Sequence, residues 1–96
     1  RDFTQELVHG VEQHRRKIDE LITTYSQGWD MDRMPVIDRN ILRLAMYEVL
    51  WSSNVPQAVA IDEALELAQT LSTDESSKYI NGVLSKIVEI KPDLVL

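Results

Sequence analysis

The sequence predicts an all-α protein, a small bundle of about four helices. Apolar residues recur at helical spacing through most of its 96 residues, and short polar or proline-bearing breaks separate the periodic segments. No segment reads as a strand. One stretch organises the rest: from Ile37 to Trp51, apolar side chains stand at Ile37, Ile41, Leu42, Leu44, Ala45, Met46, Val49, Leu50 and Trp51, with amphipathic Tyr47 among them. At 3.6 residues per turn they cover most of the circumference and leave a narrow polar strip through Arg39, Arg43 and Glu48. A helix apolar nearly all round must be surrounded by other helices.

The first element spans about residues 2–27, with Asp2 and Gln5 in capping-box spacing. Its stripe runs Leu7, Val11, His14, Ile18, Leu21, Tyr25, flanked by Phe3, Val8 and Ile22. The run from Gln13 to Lys17 interrupts that stripe, as if the two ends met different neighbours. Gly28 is placed to end the helix, Trp29 to fold back as an apolar plug, and Pro35 to open the next helix, where its missing N–H costs nothing.

The central helix covers about 36–51, and Ser52 to Pro56 form a turn. A third helix, about 58–71, directs Ile61, Ala64, Leu65 and Ala68 to the core, the alanines allowing close approach. Ser72 and Glu75 stand in capping-box spacing before a fourth helix, about 75–89, whose core face is Ile80, Val83, Leu84 and Ile87. Gly82 sits inside that helix at a cost of about 1 kcal/mol relative to alanine, which implies a close helix crossing or a ligand. Asn81, beside the core face, reads as a hydrogen-bonded structural amide. Pro92 ends the ordered structure.

Composition excludes several classes of function. There is no cysteine, so neither a disulfide framework nor a thiolate site. The central helix is too short and too charged to span a bilayer, and a cytoplasmic location fits a chain without cysteine. His9 and His14 are five apart and diverge on a helix. The pairs Asp30/Asp32 and Asp74/Glu75 lack the ligand count calcium wants. With no phosphate-binding loop or nucleophile set, neither an enzyme nor a cofactor is expected. Sixteen acidic against ten basic residues give a net charge of −6, so RNA binding would need a helper.

Three segments carry a resemblance: Val36 to Glu48 (VIDRNILRLAMYE), Val55 to Ala68 (VPQAVAIDEALELA) and Lys78 to Lys86 (KYINGVLSK). In this order and spacing they closely resemble the NusB family of bacterial transcription antitermination factors. The likeness covers the family's C-terminal half with the long helix before it; the family's arginine-rich N-terminal half has no counterpart. The interrupted stripe near His14 and the −6 balance fit a piece of a longer protein, whose uncovered apolar face would lead the chain to self-associate. The resemblance implies a non-enzymatic role: pairing with NusE, a small-ribosomal-subunit protein, binding boxA single-stranded RNA, and helping RNA polymerase, through the antitermination complex, to read through terminators, notably in rRNA operons.

Single-stranded RNA is gripped by stacking on aromatic rings and by backbone contacts. Glu75, Tyr79, Gly82 and Lys86 fall on one stripe of the fourth helix, turned from its core face. Tyr79 would stack a base, Gly82 would let the strand pass, and Lys78 or Lys86 would meet phosphates. The resemblance places Tyr79 at an aromatic RNA contact and Glu75 at an acidic one; read from the residues alone, Tyr79 packs at a core edge and the lysines are solvated. Asp38 and Arg39 fall near the family's protein-partner surface, although Asp38 is equally well placed to favour a helix N-terminus. Two alternatives stand beside this reading. One is the NusB-like amino-terminal domain of an rRNA cytosine methyltransferase, disfavoured by Gly82 and by Leu96 ending the sequence. The other is a generic helical interaction module without RNA affinity.

Overall fold

The structure, a computed structural model, describes residues 3–26, 30–52 and 55–94. Four helices follow one another: α1 (Phe3–Tyr25), α2 (Val36–Leu50), α3 (Gln57–Leu71) and α4 (Asp74–Ile90), with a final 3-10 turn at Lys91–Asp93. No strand occurs among the described residues. α2 is the hub, packing on α1, α3 and α4, and α3 lies along α4. The expectations for Asp2, Gly28 and Trp29 lie outside the described residues.

The core joins Ile18, Leu21 and Ile22 of α1 to Ile41, Leu42, Ala45, Met46, Val49 and Leu50 of α2, and closes over Ile80, Val83, Leu84 and Ile87 of α4. α3 contributes Ala60, Ala64 and Ala68. This corrects the expected α3 face by one residue: the alanine stripe at i, i+4 and i+8 faces inward, and Ile61 and Leu65 pack only at the edge. Small side chains win the buried line because they let α3 lie close to its neighbours. The connection before α2 is plugged by buried Met34.

α1 meets α2 through devices that periodicity alone does not show. The apparent interruption at His14 is filled by rings: His14 stacks on Trp51 at a centroid distance of 4.1 Å, with Tyr47 alongside. His14 therefore has partners within the chain, and the interruption is no sign of a missing neighbour. A Cβ on Gly10 would land in the Tyr47 ring, so glycine is what permits that approach. Two turns on, Arg43 of α2 grips Asp19 of α1 through two parallel hydrogen bonds of 2.9 and 3.1 Å.

Pro35 and Pro56 occupy the N-cap positions of α2 and α3, in extended conformation. The cap of α4 is Thr73, not Ser72: its hydroxyl accepts from the Ser76 N–H at 3.0 Å. Ser72 is already committed as the last residue of the α3 terminus, its N–H bonded to the Ala68 carbonyl. Order also continues past Pro92, because Leu94 packs on the core and the Lys91 ammonium donates to the Val49 carbonyl at 3.0 Å. Asn81 is exposed, and its carbonyl accepts from the Ser85 hydroxyl one turn on at 3.2 Å. It takes no part in the core.

Candidate nucleic-acid interface

α4 presents its outer stripe beside the C-terminal end of α1. Tyr25 from α1 and Tyr79, Gly82, Val83 and Lys86 from α4 line one shallow groove of about 410 Å³. The groove exists because each helix is fixed on its inner side. Ile80, Leu84 and Ile87 are fully buried, which leaves Tyr79, Gly82 and Lys86 on the flank that turns outward.

Tyr79 is half-buried, its ring packed against the core edge while also facing the groove. The two expected roles for this ring, core edge and open wall, thus coexist. Gly82 is exposed, and a Cβ built on it would meet nothing within 4 Å. Among the described residues no helix crosses closely there, so a close helix crossing does not account for this mid-helix glycine. The Lys86 ammonium is half-exposed and 3.9 Å from Glu89, a loose surface pair that a phosphate could displace.

The other predicted residues do not line the groove. Glu75 and Lys78 are exposed on the first turns of the same helix, with Glu75 favourably placed against the positive end of the helix dipole. Arg39, half-buried at the start of α2, points its guanidinium toward the Met31 carbonyl at 3.5 Å. Asp38 is the clearest departure from expectation. It is fully buried, and its Oδ2 accepts a 2.7 Å hydrogen bond from the Ser76 hydroxyl. A carboxylate with no exposed surface touches no partner protein. Asp38 is a strut that ties the N-terminus of α2 to the first turn of α4, within a group of hydroxyls that includes Ser72 and Thr73. Sequence spacing placed Asp38 correctly on the first turn of its helix but gave no sign of which way that turn faced.

Sequence reasoning also missed the wall supplied by α1. Tyr25 closes the apolar stripe of α1, and only the arrangement of the helices shows that its ring and that of Tyr79 share a groove. Among the described residues no three acidic or histidine side chains come together to hold a metal ion. No described helix is long and apolar enough to cross a membrane.

This architecture has known counterparts. The sequence model of the NusB family matches residues 1–89. The transcription antitermination protein NusB of Thermobifida fusca is 54% identical over 95 residues, a match spanning 99% of this chain and 67% of that protein. The protein of the same name from Nocardioides sp. is 53% identical over 93 residues, spanning 97% and 69%. A solved structure of T. maritima NusB superposes with a TM-score of 0.81 at 38% identity, covering 93% of this chain and 66% of that one. The chain therefore spans about two thirds of the length of the relatives it matches.

Proposed function

The chain belongs to the NusB family, and from that premise we propose that it serves transcription antitermination by binding, without catalysis, the boxA single-stranded RNA together with NusE. One observation carries the RNA contact: Tyr79, Gly82 and Lys86 share a groove with Tyr25, an aromatic wall, an open floor and a cation side by side. Such a set suits a single strand, whose bases stack on rings while its phosphates meet ammonium groups. Glu75 and Lys78 extend the same helix toward its N-terminus, where Glu75 would accept from base or sugar donors. Arg39 is the remaining candidate for the NusE contact.

The net charge of −6 fits a shared site, since a chain with this balance draws little RNA by long-range attraction. The relatives that match nearly the whole chain bear the antitermination name, which favours this reading over the methyltransferase domain. A cytoplasmic location goes with the same role.

The test is substitution at the ring. Tyr79→Ala is expected to weaken boxA binding by the complex with NusE by about tenfold, the size of one lost base stack. Tyr79→Phe, which keeps the π-face, is expected to bind as the parent does. A folded Tyr79→Ala protein with unchanged affinity would remove the groove from the RNA path.

A further inference from the structure

α4 is held in two different ways along its length. From Ile80 onward it is anchored by apolar packing, with Ile80, Val83, Leu84 and Ile87 buried. Ahead of Ile80 its buried residues are Ser76 and Ser77, and only the Tyr79 ring reaches the core, at its edge. Hydroxyls hold that segment instead. Thr73 caps it, Ser77 donates to the Leu65 carbonyl at 3.4 Å, and Ser76 donates to Asp38 at 2.7 Å. The same segment carries Glu75, Lys78 and Tyr79, so the part of α4 that bears most of the candidate RNA contacts is the part with least apolar anchorage.

The bond to Asp38 is the strongest of these, being the shortest and the one with a charged acceptor. Ser72 and Thr73 both donate onto the Ser76 hydroxyl oxygen, at 3.2 and 3.0 Å, which leaves the Ser76 proton for Asp38. Asp38 has no exposed surface, and among the described residues its second oxygen, Oδ1, has no hydrogen-bond partner. A buried carboxylate in that condition is stabilised by what remains, the Ser76 hydroxyl and the positive ends of two helix dipoles. Asp38 lies in the first turn of α2, and Ser76 brings it to the first turn of α4. A rotation or withdrawal of that α4 turn would leave the charge buried without any hydrogen bond. The junction therefore favours one setting of the turn.

We propose that Asp38 is a positioning residue for RNA: through Ser76 it sets the first turn of α4, and with it Glu75, Lys78 and Tyr79, so that boxA affinity depends on a carboxylate that touches no RNA. This role rests on the assignment of the α4 groove to RNA. Tyr79 follows Ser76 by three residues, less than one turn, so any turning of the backbone at Ser76 is passed to the ring. A carboxylate that served global stability alone would leave the affinity of the folded protein unchanged.

Ser76→Ala deletes the hydrogen bond. It should weaken boxA binding by the complex with NusE about fivefold, part of what a hydrogen bond to a charged group supplies. Ser76→Thr, which keeps the hydroxyl, should restore the affinity. In a Tyr79→Ala background most of the Ser76→Ala effect should disappear, because the ring through which it acts is gone. Hydrogen exchange of the free chain gives a readout without RNA: amides 76–79 should exchange about tenfold faster in Ser76→Ala, and those from Leu84 to Ile87 at the parent rate. Asp38→Asn, a neutral acceptor of the same shape, should give the same pattern with a smaller loss, about twofold, and serves if Ser76→Ala does not fold. Full boxA affinity in folded Ser76→Ala, beside a weakened Tyr79→Ala, would overturn the proposal and leave the groove standing. Faster exchange along the whole of α4 would overturn it too, by reducing Asp38 to a source of global stability. Full affinity in Tyr79→Ala would overturn the groove itself, and this role with it.

Discussion

The attachment of α1 to α2 makes a quantitative prediction through Asp19. That carboxylate has two arginines within reach, and magnitude decides between them. Arg43 approaches with two hydrogen bonds of 2.9 and 3.1 Å and a side chain only 14% exposed. Arg15 lies one turn before Asp19 on the same helix, 4.0 Å away and half-exposed. Exposed helix-surface pairs contribute about 0.3–0.5 kcal/mol, whereas hydrogen bonds to charged groups contribute about 1.5–3 kcal/mol. Since Asp19 is itself about one third exposed, the Arg43–Asp19 coupling should fall near the lower end, about 1.5 kcal/mol. Urea denaturation of the parent, Arg43→Ala, Asp19→Ala and the double variant closes the thermodynamic cycle. The companion cycle with Arg15→Ala should give about 0.5 kcal/mol or less. At about 4–8 °C per kcal/mol, the Arg43 coupling should also be visible in Tm. An Arg43–Asp19 coupling below the Arg15–Asp19 value would refute the picture of α1 clamped across the helix interface. It would equally unsettle the position of Tyr25, the groove wall that α1 carries.

Three further outcomes follow from particular residues. Gly82→Ala should stabilise α4 by about 0.5–1 kcal/mol, since its Cβ meets open space, while weakening RNA binding; a stabilised variant with full affinity would show that no strand passes over that floor. Thr73→Ala should cost about 1 kcal/mol in urea unfolding, whereas Ser72→Ala should cost less, because Thr73 is the side chain that accepts the Ser76 N–H. Glu48 carries a folded-state pKa raised above 4.5, so the folded state holds its proton more tightly and loses stability as pH rises through that raised value. Glu48→Gln should therefore raise the Tm of the isolated chain at neutral pH. The gain should vanish as the pH falls below the ordinary glutamate range, and a gain independent of pH would contradict the burial of the charge.

Apolar periodicity was enough to read the four helices and most of the core, because a helix apolar nearly all round, such as α2, has few ways to be satisfied. The aromatic, the glycine and the lysine of the α4 groove were legible for the same reason: Ile80, Leu84 and Ile87 fix which way the helix turns. What stayed hidden depends on which side chain meets which across helices. Asp38 looks like an ordinary first-turn carboxylate until Ser76, 38 residues later, is found beneath it. His14 looks like a break in an apolar stripe until Trp51 stacks on it. Glu48 looks solvated until Leu7 and Ala64 close around it. Asp38 and His14 meet their partners far away in sequence, and spacing along one helix carries no information about those.

The central claim, that this chain supplies part of a shared RNA site, is tested most directly by titrating it into fluorescently labelled boxA RNA with and without NusE at one fixed salt concentration. Anisotropy should rise at markedly lower protein concentration when NusE is present, and Tyr79→Ala should remove most of that gain. Binding that is equally weak with and without NusE, or a full response from Tyr79→Ala, would contradict the account.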